Sequence, residues 1–413
     1  MVLLYNCFIL LYRIGVSIAS IWNPKAKKWR LGRKNIWQQL AVIAKNGRII
    51  WIHASSAGEF EQAKPLIESL KLHYPSYKIL VTFFSPSGYE AAKNYSHADY
   101  KFYLPEDTSS NAKQFLEVVN PQLVVFIKYD FWYHYLNTLN KEKIPLLLVS
   151  SVFREEQVFF KWYGGFYKKM LSFFSQIFVQ DESSLKVLEK NSISDCQISG
   201  DTRFDRVVEI SSKPIAISFI ENFVSGSQVV VAGSTWPEDE SVLQNAISNS
   251  DTKLIIAPHE VDKQNIQRIK QEFTEAVLYS ELSEDKPFSA QNVLIIDNVG
   301  MLSRLYYYGT IAYVGGGFTK DGIHNILEAA VHAKPVLFGP NYKKYREANE
   351  LMEYGGSFSV SDNKELQNII TRLLEDKASY ELACKRSRDY IRSKTGATEK
   401  IMNYVHENRL LTN

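Results

Sequence analysis

The stretch Arg48-Ile49-Ile50-Trp51-Ile52-His53-Ala54-Ser55-Ser56-Ala57-Gly58-Glu59 reads as a strand, a small-residue turn and the first turn of a helix. Residues 49–52 are all apolar and mostly β-branched, which fits a strand buried on both faces. Helical periodicity follows from Phe60 to Leu72. Comparable apolar runs occupy 78–84, 123–128, 144–149 and 176–180, and a helical pattern returns at 182–190. Strand then helix, repeated, predicts a parallel sheet with helices on both faces.

The stretch 200–228 breaks this rhythm with Lys213-Pro214 and Ser225-Gly226-Ser227, and the domain junction is placed there. The alternation then restarts. Strands are expected at 228–232, 253–257, 292–296, 311–314 and 335–338. Helices are expected at 238–248, 261–273, 323–332 and 346–354, with a helical region from residue 364 onward. The predicted class is α/β, with two Rossmann-like doubly wound domains whose strand C-terminal ends surround a shared cleft. The expected division is 1–34, a membrane-associating helix with its basic flank, then 35–205 and 206–413.

Length and composition agree with this division. A chain of 413 residues suits two domains of about 200 residues each. Hydrophobic content of 45% with 23% charged residues is that of a globular protein. The net charge of +3 argues against a polycation for nucleic acid. Cys7, Cys196 and Cys384 lie far apart, without metal-ligand or disulfide spacing, which fits a reducing compartment. Neither GxGxxG nor GxxxxGK[ST] occurs, so ordinary NAD enzymes and P-loop ATPases are poor candidates.

Charge is distributed unevenly. Glu59 is the first acidic residue, and nine basic residues precede it. Residues 1–22 are mostly apolar, interrupted by Arg13; a spanning helix needs about 20 apolar residues. Arg13 at mid-membrane would cost roughly 2.5–3.5 kcal/mol, unless the helix is tilted or lies shallow. No basic segment precedes the apolar run, which disfavours a cleaved signal peptide. Lys25, Lys27, Lys28, Arg30, Arg33 and Lys34 follow it. The positive-inside rule then keeps the rest of the chain in the cytoplasm. The competing reading is a buried helix followed by a solvated basic loop.

Two segments carry the strongest chemical signals. In the first, small residues let the backbone approach a ligand, and Glu59 falls near a helix N-terminus, where the dipole favours the carboxylate. It reads as a general base or as a helix cap. The second is Gly315-Gly316-Gly317-Phe318 with Asp321-Gly322-Ile323-His324-Asn325-Ile326-Leu327-Glu328. A glycine run that opens into a helix is an anion-binding pattern or merely a capped turn. Asn325 and Glu328, at i and i+3, share a face, and Glu328 could accept both hydroxyls of a ribose. Gly233-Ser234-Thr235, Pro258-His259 and Asp297-Asn298-Val299-Gly300-Met301 lie at other expected strand ends. Arg203 lies at the junction. Singly each is weak; their shared placement is the stronger signal.

With these residues in view, the chain resembles the 3-deoxy-D-manno-octulosonic acid (Kdo) transferases, nearly end to end. The resemblance rests on the apolar N-terminus with its basic flank, His53 to Glu59, Gly233-Ser234-Thr235, Gly315-Gly316, and His324-Asn325 with Glu328. It implies a two-domain glycosyltransferase of GT-B type. The implied reaction is inverting transfer of Kdo from CMP-Kdo to a lipid A precursor (lipid IVA), without metal or cofactor, at the cytoplasmic face of an anionic inner membrane. Glu59 is then the base and Arg203 the group that stabilises departing CMP. The implied donor-binding residues are Ser234, Thr235, Pro258, His259, Val299, Gly300, Met301, Gly316, Asn325, Ile326, Leu327 and Glu328.

Two departures stand out. The family often has Pro-Arg-His where this chain has Pro258-His259-Glu260. It also often has a glutamate, assigned to transition-state support, where this chain has Lys128. A lysine there could meet the Kdo carboxylate or an acceptor phosphate, with Asp130 taking part of the acidic role. The alternatives are a GT-B enzyme using a UDP-sugar and a non-catalytic, membrane-bound nucleotide-binding module.

Overall fold

In the computed structural model, residues 1–43, 47–212, 216–247, 251–283 and 292–412 are described. They form two compact units, one of Met1–Arg206 with Thr395–Asn413 and one of Val207–Lys394.

The first unit is built on seven parallel strands. They are β1 (Ile49–His53), β2 (Lys78–Phe83), β3 (Tyr100–Tyr103), β4 (Pro121–Ile127), β5 (Leu146–Ser151), β6 (Gln176–Val179) and β7 (Cys196–Ile198). Their order is β3-β2-β1-β4-β5-β6-β7. All five expected strands are present. The two that the sequence pattern missed, β3 and β7, are the sheet's edges, and both are only partly buried. Side chains alternate across β1. Trp51 joins a core with Phe115, Phe126 and Tyr135 on one face. Ile50 and Ile52 join Phe60, Leu66 and Ile67 of the Ala57–His73 helix on the other.

The second unit repeats the plan with β8 (Val229–Thr235), β9 (Lys253–Pro258), β10 (Val277–Leu278), β11 (Val293–Ile295), β12 (Ile311–Val314), β13 (Val336–Phe338) and β14 (Ser357–Ser359). The order is β10-β11-β9-β8-β12-β13-β14. Again the two unexpected strands, β10 and β14, are the edges. The expected helix at 323–332 is shorter, Leu327–Ala330. Asn325 stops it from starting earlier, because its side chain accepts a hydrogen bond from the Leu327 amide at 3.1 Å. Residues Lys213, Pro214 and Ser248, used in the sequence reading, lie outside the described residues.

Both ends of the chain depart from the expected division. The N-terminal helix, Val2–Ala19, is long and apolar enough to cross a membrane. One side of it nevertheless belongs to the first unit. The Tyr5 hydroxyl donates to buried Asp107, Asn6 Oδ1 lies 2.6 Å from His134 Nε2, and Arg13 pairs with Glu106 at 3.5 Å. Arg33, grouped above with the surface charges, is partly buried. Its guanidinium donates to the carbonyls of Leu104 and Phe84, each at 2.9 Å, and stacks 3.9 Å from the Trp29 ring centroid. Burial lowers its pKa to about 10.

At the other end, the Ala397–Glu407 helix packs Ile401, Met402 and Val405 into the first unit's core rather than the second's. Asp205 holds its start. That carboxylate accepts from the Gly396 amide, the Thr398 amide and the Thr398 hydroxyl, each at 2.7 Å. Losing such a cap costs about 1–2 kcal/mol. Asp205→Ala is therefore expected to speed amide exchange at Gly396, Thr398 and along the Ala397–Glu407 helix. Exchange in the second unit's sheet should not change.

Candidate active site

In an open parallel sheet the ligand crevice forms where the strand order reverses. In the first unit that point lies between β1 and β4, which pair with His53 opposite Phe126. The segments leaving these strands, 54–59 and 128–132, meet there. His53 is fully buried, and its Nε2 lies 2.7 Å from Asp130 Oδ2. Its Nδ1 lies 2.8 Å from Thr82 Oγ1, which also receives the Trp51 indole N–H at 2.7 Å. One assignment satisfies every donor. Trp51 donates to Thr82, the Thr82 hydroxyl to Nδ1, and Nε2–H to Asp130.

Glu59 stands in the first turn of the Ala57–His73 helix. It does cap that helix: Oε2 accepts from the Ser56 amide at 2.8 Å and the Ser56 hydroxyl at 3.0 Å. Among the described residues Oε1 has no such bond, so one oxygen holds the group while the other is left to take up a proton. Burial, and then the Asp130 charge, raise the Glu59 pKa against the pull of the Ser56 bonds. Burial works on Asp130 in the same direction. There the hydrogen bond from His53, with those from Ser55 and Trp132, outweighs burial and keeps the carboxyl below its usual range. Two neighbouring carboxylates are thus pushed apart, and the higher one sits at the helix start. This is an arrangement for general acid–base work.

Lys128 and Arg203 occupy distinct places around this centre. Lys128 follows β4 directly, with a left-handed φ of 61° that a non-glycine residue adopts only at a cost. Arg203 donates from Nε to Asp201 Oδ2 at 2.8 Å, and the Arg203 amide donates to Asp201 Oδ1 at 2.9 Å. Gln62 donates to the same Oδ1 at 2.9 Å. Glu59 and Gln62 are three residues apart on one helix, so Arg203 is referenced to the helix that carries the candidate base. Sequence reasoning missed Asp201 and Gln62 as its holders; only the proximity of Asp201 in sequence hinted at it.

The second unit's reversal lies between β8 and β12. The Gly315 amide donates to the Gly233 carbonyl at 2.9 Å. A Cβ on Gly315 would fall 2.3 Å from the Ser234 carbonyl oxygen, so only glycine permits this approach. Asp239 ties the two strand ends together. It accepts from the Gly316 amide at 2.8 Å, the Trp236 amide at 3.0 Å and the Tyr313 hydroxyl at 2.8 Å. Burial still raises its pKa to about 6. Nothing in the acidic run Glu238-Asp239-Glu240 marked it as different. The hydroxyl of Thr235, one of the implied donor-binding residues, donates to Glu240 at 2.8 Å instead. Ser234 has a φ of 53° at the strand end.

His259 stacks against two rings that lie edge to edge, its centroid 4.8 Å from Trp236 and 4.5 Å from His324. The Trp236 indole donates to His324 Nε2 at 3.0 Å. Burial, then His259, lower the His324 pKa. Asn325 donates to Glu328 at 2.9 Å, so the expected pair does meet. Ile326 and Leu327 bury their side chains completely and could offer a ligand only main chain. Pro258 ends β9. Val299 is exposed, Gly300 takes a φ of 94°, and Met301 precedes the Leu302–Leu305 helix.

A family model described as 3-deoxy-D-manno-octulosonic-acid transferase (kdotransferase) matches residues 28–206. The chain is 30% identical over 350 residues to a 3-deoxy-D-manno-octulosonic acid transferase of Rickettsia felis, covering 82% of this chain and 74% of that one. The chain belongs to the Kdo transferase family. A Chlamydia trachomatis serovar A member is 26% identical over 377 residues, covering 88% of this chain and 86% of the relative. The UDP-GlcNAc 2-epimerase of Neisseria meningitidis shares the fold, with a TM-score of 0.62 at 18% identity over 87% of this chain and all of that one.

Within this Kdo transferase the two carboxylates can be tested apart. Asp130→Asn removes the like charge beside Glu59. The Glu59 midpoint should fall below that of the unmodified protein in a carbon-13 NMR titration of its carboxyl. An unchanged midpoint would show that Asp130 does not act on Glu59.

Proposed function

We propose that the protein transfers Kdo from CMP-Kdo to a bisphosphorylated, acylated lipid A precursor (lipid IVA) at the cytoplasmic face of an inner membrane. The observation that carries this is Glu59, raised in pKa beside a His53–Asp130 pair, in a chain of the Kdo transferase family. Glu59 takes the proton from the acceptor's primary hydroxyl. The freed oxygen attacks the anomeric carbon as the bond to CMP breaks, which inverts the configuration. Arg203 stabilises the negative charge on departing CMP. Lys128 meets the Kdo carboxylate or an acceptor phosphate. The donor is held by Ser234, Gly316, the main chain of 325–327, Glu328, and 299–301. His259 takes the place of the family's frequent arginine. Thr235 and Pro258 support these contacts. The reading assigns no metal or cofactor.

The N-terminal helix brings the enzyme to its lipid substrate. It is fixed sidewise by Tyr5, Asn6 and Arg13, which favours lying in the interface over spanning. Its outer side exposes Leu4, Phe8, Leu11 and Ile18, one helical stripe, and basic residues follow. Each Lys or Arg near an anionic surface adds roughly 1 kcal/mol.

Incubation with CMP-Kdo and a tetraacylated precursor, read by mass, tests the reaction and counts the sugars. Glu59→Gln should lower kcat by ~10²–10⁴-fold, with the CMP-induced thermal shift retained. A stronger shift with UDP or UDP-sugars than with CMP would refute the donor. A carboxylate base is active when deprotonated, so activity should fall as pH drops through the Glu59 pKa. That limb of kcat/KM should lie above the ordinary glutamate value of about 4.3. Deleting residues 1–34 would also remove Trp29 and Arg33 from the fold. The cleaner membrane test is Leu4→Gln/Phe8→Gln/Leu11→Gln, which should reduce sedimentation with anionic vesicles and leave CMP binding intact.

A further inference from the structure

Trp162 is 96% exposed, more than any other large hydrophobic residue among those described. Exposure of this size in a slack loop would mean little, but here the backbone is tightly held. The Val158–Phe160 turn precedes it and the Gly165–Leu171 helix follows. The Lys161 amide donates to the Val158 carbonyl at 3.3 Å, and the Gly164 amide to the Lys161 carbonyl at 2.8 Å. A Cβ on Gly164 would stand 1.8 Å from the Val158 oxygen, so the turn closes only with glycine. Phe159 below is buried. The fold therefore pushes Trp162 and the exposed Tyr163 outward on a fixed base.

The position of this turn relative to the N-terminal helix is also fixed. Phe166, in the helix that follows, packs with its ring centroid 5.8 Å from Tyr5 and 4.8 Å from Tyr133. Tyr5 lies next to Leu4 and within one turn of Phe8. The aromatic turn and the apolar helix thus meet over one ring cluster of the first unit. Glu155 is close enough to feel the charge of Lys161, but within residues 157–180 every charged side chain is basic. Lys161, Lys168 and Lys169 flank the turn, and no acidic residue occurs between Glu156 and Asp181. Trp and Tyr beside lysines are the side chains that settle at the boundary between acyl chains and anionic headgroups.

We propose that Trp162 and Tyr163, with Lys161 and Lys169, make a second contact with an anionic lipid surface. This rests on the reading that the N-terminal helix lies in the membrane. Two separate contacts on one rigid unit fix its orientation to the bilayer, which a single helix cannot do.

The test uses the full chain and vesicles of phosphatidylethanolamine with phosphatidylglycerol. Trp162→Ala/Tyr163→Ala should reduce sedimentation with these vesicles severalfold while the CMP-induced thermal shift stays unchanged. Lys161→Gln and Lys169→Gln should each reduce it by roughly fivefold, and less in phosphatidylcholine alone. Brominated acyl chains should quench a fluorescence component that Trp162→Phe lacks. If the unmodified protein binds and the double variant binds equally, with the same quenching, the second contact is wrong and the helix reading survives. If the unmodified protein does not bind, both fall. If the double variant changes only the oligomeric state seen by light scattering, the surface meets another copy of the chain, and the lipid assignment is overturned.

Discussion

Neighbouring parallel strands whose connections run off in opposite directions leave their C-terminal ends uncovered. That constraint produces β1 beside β4 and β8 beside β12. No connecting helix crosses the gap, so polar groups must close it. In the first unit His53 and Asp130 do this, and in the second Asp239 does. Each bridge is at least partly buried, and burial set against hydrogen bonding shifts the acidity of its carboxyl group. The chemistry is thus located by the topology before any catalytic residue is chosen.

The first-unit site shows how two carboxyl groups of similar intrinsic acidity are separated. Asp130 receives the imidazole hydrogen bond and an indole N–H. Glu59 receives only serine donors at one oxygen, and it feels the charge of Asp130. The difference of partners lowers the pKa of one and raises that of the other. His53 is in turn oriented by Thr82, which Trp51 holds from within the core. A core tryptophan thereby reaches the C-terminal end of the sheet through two hydrogen bonds. The lysine at position 128 adds positive charge at the end of β4.

The central strands were legible because burial on both faces forces a continuous apolar run. The four edge strands were not. Tyr100–Tyr103, Cys196–Ile198, Val277–Leu278 and Ser357–Ser359 face water on one side, and nothing in their composition demands a strand. Their existence depends on a neighbour already being in place. Candidate residues at strand ends were legible for the same topological reason. Their fastenings were not, because Gln62 and Asp201 are 139 residues apart and meet only after folding. Arg33 misled for another reason. A basic cluster in sequence does not reveal which member points inward, and here Trp29 and two carbonyls select Arg33.

The return of the last helix to the first unit has a consequence for the order of assembly. A growing chain presents residues 1–206 first, with the sheet and the 54–59 loop already made. The apolar patch that receives Ile401, Met402 and Val405 stays open while the whole of Val207–Lys394 is synthesised. At typical elongation rates of about 5–20 residues per second that interval lasts on the order of ten seconds or longer. The nascent first unit therefore emerges as an incomplete core with a greasy groove, and it is finished only when the chain comes back to close it.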